Sequence, residues 1–376
     1  MKEYRRIGDL VDLIDERNKD EKVKTLIGVS IDKCFIKSVA NTIGTDLSKY
    51  QVIRKFDFAC SLMQVSRDGK IPIACLKDYD EAIMSPAYYI FRIKNTEEIL
   101  PDYMAMWFMR PEFDREASYI AVGGVRGSMP WEDFCDMKLP VPPLNEQQKI
   151  VNTYNAITNR IQIKQKINEN LEKTTQCLFE ELTKDKENFE TKTIEEISDA
   201  VICGKTPSTT ESKYWGNEIP FITIPDMHGS NFIHTTERYL SIAGKQSQEK
   251  QALPKNSICV SCIATVGLVS LTTTESQTNQ QINSIICKEG ISFYYVFMLL
   301  KQMTDELKRL GAGGSTTLNV SKSLFASIKL QLPNEENMNF FDKKVSSLFS
   351  KILINEKEIE KLEALKMTVV SKISKR

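Results

Sequence analysis

Apolar residues in the stretch 144–182 repeat with the spacing of one long helix. Alternate steps of four and three from Ile150 visit ten positions, of which seven are apolar: Ile150, Tyr154, Ile157, Ile161, Lys164, Asn168, Leu171, Thr175, Leu178 and Leu182. This 3.5-residue spacing is typical of a coiled-coil seam, in which each apolar side chain packs against a partner helix. The pattern therefore predicts a long helix that needs a partner.

A second stretch near the C-terminus repeats the pattern 191 residues later. The same steps from Phe341 visit eight apolar positions out of ten: Phe341, Val345, Leu348, Ile352, Asn355, Ile359, Leu362, Lys366, Val369 and Ile373. An offset of about half the chain is too long for a solenoid repeat. It indicates a duplicated unit in which each copy ends in a long helix, so the partner helix is within the same chain.

The residues before each long helix also recur. GGVRGSMPWEDFCDMKLPVPP and GAGGSTTLNVSKSLFASIKLQLP each contain a glycine-rich loop, a phenylalanine (Phe134 or Phe325), a strand-like run and an exit proline (Pro142 or Pro333). We expect a short helix around each phenylalanine, then a strand that proline separates from the long helix.

The beginnings of the two copies are alike as well. Ile7, Leu10, Val11 and Ile14 have the spacing of a short amphipathic helix, and Ile194 and Ile197 repeat its first two apolar positions 187 residues later. Between these landmarks the first copy alternates strand-like runs with polar turns and has a helical pattern at 100–110. The middle of the second copy differs almost completely in sequence.

Four segments follow from these boundaries. They are two globular segments, 1–143 and 187–332, each followed by a helical segment, 144–186 and 333–376. The sequence predicts an α+β fold with two mixed α/β domains separated by two long helices. A chain of 376 residues with 41% hydrophobic and 27% charged residues is long enough for both domains to bury a core.

Charge gives no simple indication of a partner. The net charge is zero, and none of the four segments departs from neutrality by more than two charges. Proteins that bind nucleic acid alone usually have a basic face. If this chain binds DNA, folding must concentrate its basic residues on one surface, or a partner must supply much of the phosphate contact.

The sequence has no sign of secretion or of a membrane span. The N-terminus lacks an apolar core followed by a small-residue cleavage site, and no apolar run approaches about 18 residues. The nine cysteines are odd in number and mostly lie in apolar runs, which favours free thiols in a reducing compartment. We therefore expect a cytoplasmic protein.

No pattern of residues indicates catalysis or a metal. Cys259 and Cys262 form a single CxxC without a second pair, so buried core residues are the favoured interpretation over a redox or zinc site. Only two histidines exist, His228 and His234. A phosphate-binding loop, a nucleophile elbow and the signatures of an amino-methyltransferase are all absent from the sequence.

Several motifs in order resemble a known family. LPVPPLNEQQKIV leads into the first long helix, and GKTPS, YWGNEIPFITIPDM, SCIATVG and NQQIN follow in the second globular segment. Together they resemble the specificity subunit of type I restriction-modification systems, over essentially the whole chain. The first segment has DERNKDEK in place of GKTPS, and the last repeat has LQLPNEENMNFF in place of LPVPPLNEQQKI.

The resemblance implies a subunit that reads DNA and has no catalysis of its own. Each globular segment would be a target-recognition domain that reads one half of a bipartite, asymmetric target. The two helices would pack as an antiparallel coiled coil that spaces the domains. Two modification subunits, which use S-adenosylmethionine to methylate adenine, would dock on this frame, and restriction subunits that use ATP and Mg²⁺ can join.

Residues that read bases should lie on loops and carry amide, hydroxyl or guanidinium groups, which match the donor and acceptor patterns of base edges. The candidates in the second domain are Lys205, Thr206, Ser208, Thr209, Lys213, Gln280, Gln281 and Asn283, and those in the first are Arg67, Lys70, Arg126 and Ser128. The alternative for each is a solvated loop residue or, at 280–283, a hydrogen bond at a strand end.

Two other hypotheses stay open. The chain is either a coiled-coil scaffold that binds proteins without DNA specificity, which the zero net charge favours, or an enzyme with an unrecognised site. The polar residues of the predicted seam also have two possible roles. Lys164, Asn168, Thr175 and Asn355 either select the helix pairing, as a buried asparagine often does, or lie at a solvated edge.

Overall fold

The computed structural model describes residues 3–38, 45–63, 65–122, 127–184, 189–312 and 318–373. The chain forms two compact units. The first unit comprises residues 1–161 and 361–376, and the second comprises residues 162–360. No helix among the described residues is long and apolar enough to cross a membrane.

Among its described residues, the first unit has ten short strands and five short α-helices before the first long helix. The strands are β1 (Glu3–Arg6), β2 (Val11–Ile14), β3 (Ile27–Val29), β4 (Phe35–Lys37), β5 (Gln51–Arg54), β6 (Phe58–Cys60), β7 (Ile73–Cys75), β8 (Glu81–Met84), β9 (Tyr89–Ile93) and β10 (Lys138–Val141). The helices are α1 (Ile7–Leu10), α2 (Val65–Asp68), α3 (Pro101–Phe108), α4 (Pro111–Ile120) and α5 (Trp131–Asp136), and the long helix α6 spans Leu144–Thr183.

The second unit repeats this order with a longer middle. Its strands are β11 (Glu190–Thr193), β12 (Ser198–Cys203), β13 (Trp215–Gly216), β14 (Ile219–Ile222), β15 (Phe232–Ile233), β16 (Arg238–Leu240), β17 (Ile258–Ser261), β18 (Val269–Thr272), β19 (Gln277–Thr278), β20 (Ile282–Cys287) and β21 (Lys329–Leu332). Its helices are α7 (Ile242–Ser247), α8 (Phe293–Gln302), α9 (Thr304–Gly311) and α10 (Lys322–Ala326), followed by the long helix α11 (Glu335–Lys372).

The duplication predicted from the sequence is confirmed in the strand pairing. In each unit the first strand pairs antiparallel with the last one, β1 with β10 and β11 with β21. The central sheets also correspond: the order β2-β9-β6-β7 in the first unit matches β12-β20-β17-β18 in the second. The pairings among these strands are antiparallel in both units. The two domains are therefore mixed α/β structures on one plan.

The prediction of an amphipathic helix at the start of each domain is wrong in the length of the helix. In the first unit the helix stops at Leu10, because Val11–Ile14 pairs with β9 as strand β2. In the second unit residues 194–197 form a turn that buries Ile194 and Ile197. The apolar positions face the core as expected, but strand pairing overrides the helical spacing.

The helices before each long helix agree with the prediction. Phe134 lies on α5 and Phe325 on α10, and both side chains are fully buried. Pro142 and Pro333 follow the strands β10 and β21. The predicted helix at 100–110 is α3, which begins at Pro101, a residue suited to the first helical position because its missing N–H has no partner there.

The start of α6 is held by a buried glutamine. The Gln147 side chain accepts a hydrogen bond from Leu100 N at 2.9 Å and donates to the carbonyl oxygens of Glu98 and Pro142, both at 2.8 Å. The position 191 residues later is Met338, which is also buried. The same junction is therefore polar in the first unit and apolar in the second.

Within each unit a segment of α6 packs against a segment of α11. In the first unit Val151, Val370 and Ile373 share one apolar core, with Ile150, Tyr154 and Val369 packed against it. In the second unit Phe179 contacts Phe341 at 5.9 Å between ring centroids, whereas Lys164 lies near Asn355. The low-numbered part of one segment thus meets the high-numbered part of the other, so the pairing is antiparallel.

The buried stripe of each long helix is wider than the predicted seam. Ile157, Ile161, Phe341, Val345, Ile352, Asn355 and Ile373 are buried, whereas Leu171, Leu178, Leu182, Leu348, Ile359 and Leu362 are half-buried. Val151, Phe179, Phe349 and Val370, which lie outside the predicted seam, are fully buried. These residues join the domain cores, so each helix packs against its own domain as well as against the other helix.

Candidate nucleic-acid interface

A small mixed sheet supports the predicted loops of the second unit. Its strand order is β13-β16-β14-β19, with β14 and β19 parallel. The loop after β12 carries the GKTPS sequence, and the loop after β19 carries Asn279, Gln280 and Gln281. Gly204 N donates to Ile282 O at 3.1 Å and Lys205 N donates to Thr278 O at 2.9 Å. These bonds hold the two loops side by side.

Close approach of the backbones explains the glycine at the start of the GKTPS loop. A Cβ atom added to Gly204 would lie 2.1 Å from Asn279 O and 2.2 Å from Thr278 Oγ1. Only glycine fits between the loops without moving the backbone. The glycine of the GKTPS sequence is therefore required for the geometry of the loop pair.

Thr206 and Gln280 are directly connected. Thr206 Oγ1 donates to Gln280 Oε1 at 2.7 Å, and Gln280 is exposed. The bond uses one acceptor of the amide and leaves its NH₂ group directed away from Thr206. Lys205 next to them is exposed. The structure thus brings together an ammonium, a hydroxyl and an amide, the groups that match acceptor and donor patterns on base edges.

Ser208, Thr209 and Lys213 lie on the following loop and are all exposed. Ser208 Oγ lies 2.8 Å from Thr210 Oγ1, and the Ser208 carbonyl accepts a hydrogen bond from Trp215 Nε1 at 3.2 Å. Lys213 Nζ lies 3.3 Å from a Glu211 carboxylate oxygen. The indole of Trp215 therefore anchors this loop to the small sheet.

The other two candidates of the second unit differ in accessibility. Gln281 is half-buried, and its side-chain oxygen accepts a hydrogen bond from Asn279 Nδ2 at 3.1 Å. Asn283 is 2% exposed and donates to Val320 O at 3.1 Å. Asn283 therefore joins the central sheet to the segment before α10, which is the alternative role considered for it, and its burial does not support a contact with a base.

One functional group in this region was missed by the sequence analysis. Arg238 on β16 is exposed, and its guanidinium carbon lies 3.6 Å from the ring centroid of Trp215. Trp215 in turn stands edge-on to the buried ring of Phe221 at 5.3 Å. No motif marks Arg238 in the sequence, because its partner lies 23 positions earlier on a strand that only the fold places beside it.

The candidates of the first unit fall on a corresponding surface. Arg67 and Lys70 are exposed on and just after α2, and Arg67 Nε lies 2.8 Å from Asp68 Oδ1. Gly127 has φ +74°, and a Cβ added there would lie 2.3 Å from Ser66 Oγ. The neighbouring Ser128 is half-buried. Arg67 and Ser128 are therefore close, whereas Arg126 lies outside the described residues.

The two units present these loops at equivalent places. In the first unit Met129 N donates to Leu62 O at 2.9 Å, and in the second Val320 N donates to Cys262 O at 2.8 Å. Each bond ties the segment after the glycine-rich loop to the segment after β6 or β17. The edge that carries Arg67 and Ser128 therefore corresponds to the edge beside residues 262–265 of the second unit.

The polar seam residues of the second unit are buried and paired. Asn355 Nδ2 donates to Asn168 Oδ1 at 2.7 Å, and Asn168 Nδ2 lies 3.4 Å from Ile352 O. Lys164 Nζ lies 3.2 Å from Asn355 Oδ1 and 2.6 Å from a Glu358 carboxylate oxygen. Thr175 is buried and donates to Leu171 O. A solvated edge is therefore excluded for Asn168, Thr175 and Asn355.

The two cysteines of the CxxC sequence lie in a packed interior. Cys259 and Cys262 are buried, and burial raises the pKa of Cys259 to about 12 and that of Cys262 to about 11. The nine cysteines are free. Among the described residues, no three or more His, Cys, Asp or Glu side chains gather in a way that would hold a metal ion.

Comparison with known proteins gives a consistent assignment. Residues 2–173 and 186–364 each match the model of the type I restriction modification DNA specificity domain. The chain is 48% identical over 168 residues to the HindI specificity subunit of Haemophilus influenzae, which covers 44% of this chain and 37% of that protein. It is 22% identical over 402 residues to a putative MjaX specificity subunit of Methanocaldococcus jannaschii, covering 98% and 92% of the two chains.

A solved structure has the same fold. The crystal structure of the type I restriction-modification system S subunit from M. genitalium superposes with a TM-score of 0.65 at 15% sequence identity, covering 99% of this chain and 96% of that one. By contrast, the HindI match and a match to the MjaIX specificity subunit of M. jannaschii span only 37% and 40% of those relatives.

Proposed function

This chain belongs to the type I restriction-modification DNA specificity domain family, and we propose that it reads a bipartite, asymmetric DNA target for adenine methylation and restriction. The observation that carries the proposal is that the family model matches twice, once in each half of a duplicated fold. Two recognition domains with different loops read two different half-sites, and a target with unlike halves is asymmetric.

The loops of the second unit support DNA reading by direct contact. Lys205, Thr206 and Gln280 are adjacent on one surface. Their side chains carry groups that form hydrogen bonds with base edges and phosphates. In the first unit Arg67, Lys70 and Ser128 are the corresponding candidates. Arg126 and Asn283 stay predictions without a geometric argument in their favour.

The surface charge supports a complex in which this chain and its partner subunits both contact the DNA phosphates. Lys213 pairs with Glu211, and Arg67 pairs with Asp68, so each of these two cations has a neighbouring carboxylate. A surface of this kind gives weak sequence-independent affinity, because phosphate contacts need uncompensated positive charge. We propose that the modification subunits supply much of that contact.

The partners follow from the family. We propose that two modification subunits dock on this chain, bind S-adenosylmethionine and carry the methyl transfer, so that the specificity subunit itself has no catalytic role. Restriction subunits that use ATP and Mg²⁺ join in the restriction reaction. A coiled-coil scaffold without DNA specificity is the competing function, and the zero net charge is the observation in its favour.

The two long helices provide the test. We propose that their length fixes the number of unread base pairs between the half-sites. Seven residues added to each helix at the level of Lys164 and Asn355 preserve the seam, because a heptad nearly completes two turns. They lengthen a helix by about 10 Å, which corresponds to about three base pairs.

The experiment uses the full chain with its modification subunits and maps the methylated adenines in genomic DNA. The wild-type complex is expected to methylate one bipartite sequence. The complex with the lengthened chain is expected to methylate the same half-sites with more unread base pairs between them. A seven-residue insertion at the exposed turn of Glu289 and Gly290 is the matched control and should leave the gap unchanged. An unchanged gap in the lengthened chain would contradict the spacing proposal, and absence of any preferred sequence would favour the scaffold.

A further inference from the structure

Arg238 stands out among the basic residues of the second unit. It is one of only two arginines in residues 162–360, the other being Arg309. It is exposed on β16, next to the strand that carries Trp215. Its guanidinium carbon lies 3.6 Å from the indole centroid. That separation is the contact distance of two flat groups lying face to face.

The platform under Arg238 is rigid. Trp215 donates from Nε1 to Ser208 O at 3.2 Å, which fixes the rotation of the indole. The indole edge packs on Phe221, whose ring is 1% exposed. The Arg238 backbone is paired with Phe221 in the sheet, and its carbonyl accepts a hydrogen bond from Thr236 Oγ1 at 2.7 Å. Both ends of the arginine are therefore positioned.

The guanidinium N–H groups of Arg238 donate no hydrogen bond to any described residue. No carboxylate of a described residue lies within ion-pair distance of it, and its guanidinium lies over the rings of Trp215 and Phe221. Lys213 and Lys245, by contrast, pair with Glu211 and Glu275. Stacking occupies the flat face of the guanidinium and leaves its in-plane N–H donors to an external acceptor.

The position of Arg238 places these donors beside the candidate loops. Trp215 connects it to Ser208, and β14 and β19 connect its sheet to Gln280 and Thr206. The planar fork of arginine matches two neighbouring acceptors, which a phosphate and a guanine both provide. Guanine, with its N7 and O6 acceptors side by side in the major groove, is the base that arginine binds in this way.

We propose that Arg238 reads a guanine in the half-site of the second recognition domain, with Trp215 as the platform that orients it. The proposal rests on the proposed function. It adds a base identity and a residue to it. Stacking limits the conformations of the free side chain, so less entropy is lost when both hydrogen bonds form.

The test is the sequence preference of the full chain assembled with its modification subunits. Binding to a library of targets randomised at each half-site position is measured for wild type, Arg238→Ala and Arg238→Lys. We expect both variants to lose the preference for guanine at one position of one half-site by about fivefold to 150-fold. The other half-site should be read as before.

The lysine variant separates base reading from charge. It keeps the positive charge but not the planar fork, so it should retain the salt dependence of binding and still lose the guanine preference. Lys329→Ala is the charge-matched control, because Lys329 lies on the two-stranded β11–β21 sheet and not on the small sheet. It should leave every preference unchanged.

Two outcomes overturn the inference. Uniformly weaker binding of Arg238→Ala to all sequences, with a salt slope reduced by about one, assigns the residue to a phosphate. Unchanged preferences at every position in both variants assign it no contact with DNA. If the wild-type complex itself prefers no sequence, the proposed function fails, which is distinct from failure of the role of Arg238 alone. Thermal unfolding of Arg238→Lys verifies that the fold is intact.

Discussion

In the first unit α6 begins at a buried amide that is fully hydrogen-bonded, whereas in the second unit α11 begins at a buried methionine. Gln147 bonds to Leu100, Glu98 and Pro142, whereas the apolar side chain of Met338 at the matching position is buried. Yet the strands and short helices around both junctions follow the same order. Two different chemistries thus support the same junction.

Buried charge is also placed differently in the two units. In the first, Lys33 Nζ lies 2.7 Å from Asp114 Oδ1 in the interior, and it also donates to the Phe108 carbonyl. In the second, the half-buried Glu356 of α11 accepts a hydrogen bond from Ser230 Oγ at 2.9 Å, and the buried Asn231 donates from Nδ2 to the exposed Glu172 of α6 at 2.9 Å. The difference shows that strand pairing and the apolar pattern determine the frame, while polar interior contacts vary between copies of it.

Breaking the buried pair of the first unit should have the largest effect. Asp114→Ala leaves Lys33 charged and without its carboxylate, although both side chains are less than a tenth exposed. Losing one partner of a buried pair costs about 3–5 kcal/mol. We expect chemical denaturation of the full chain to show this loss, with amide exchange accelerated in the first unit and unchanged in the second.

Two further variants control this measurement. Glu116→Ala removes an exposed carboxylate from the same helix and should change the free energy of unfolding little. The double variant Lys33→Met with Asp114→Leu removes both charges and should recover most of the loss. A cost below about 1 kcal/mol for Asp114→Ala, the range of exposed pairs, would contradict the interior role of the pair.

Exchanging the two helix starts tests whether their chemistries are interchangeable. Gln147→Met leaves Leu100 N and two carbonyl oxygens without their partner and should cost about 1–3 kcal/mol. Met338→Gln buries an amide where the wild type has an apolar side chain, and it should cost a similar amount, about 1–3 kcal/mol. Denaturation midpoints of both variants measure this, with Gln148→Met, an exposed neighbour, as the control. Neutral exchange in both directions would show that the junctions are equivalent.

The smallest expected effect is a difference between the two units in how their stability depends on pH. The hydrogen bond with Arg54 lowers the pKa of Glu16 in the first unit, so its contribution to stability is present above its ordinary pKa of 4.5 and is lost as the pH falls. Burial raises the pKa of Glu356 in the second unit from 4.5. Its contribution is present below that value and is lost as the pH rises through the folded pKa.

The variant Glu356→Gln isolates this contribution. We expect it to gain stability relative to wild type as the pH rises from 4.5 to neutrality, measured by unfolding midpoints. His234, Glu172 and Lys301 also face Glu356, so the quantity compared is the difference between variant and wild type at each pH. Glu363→Gln, an exposed residue of the same helix, is the control. A difference that does not depend on pH would contradict the raised pKa.

The long helices were predictable because their periodicity is sustained over many turns. The first was expected to reach Leu182 and ends at Thr183. The strand before each helix was also predictable, since a proline follows it. Short elements were not: β8 (Glu81–Met84) has no alternation of polar and apolar residues, and it forms because β5 offers it a pairing edge. Val11–Ile14 had helical spacing and became a strand for the same reason.

The sequence predicted which loops form the candidate interface, but it did not predict which residues of these loops are exposed. The GKTPS and NQQIN sequences do meet, as Thr206 and Gln280 show. Asn283, only three positions further, is buried because β20 has already begun there. Arg238 was missed because its accessibility and its stacking partner depend on sheet pairing between residues distant in sequence. Motifs in a single sequence indicate which loops matter, whereas the fold decides which side chains on them reach outward.

The asparagine pair of the helices has a consequence for how such chains can be assembled. Asn168 and Asn355 come from different halves of the sequence and satisfy each other. A hybrid that joins one half to the half of a foreign relative keeps this bond only if the incoming helix has an asparagine at the same level. Otherwise one amide is orphaned, at a cost of about 1–3 kcal/mol. The pair therefore limits which halves can be exchanged without loss of stability, independent of what either half recognises.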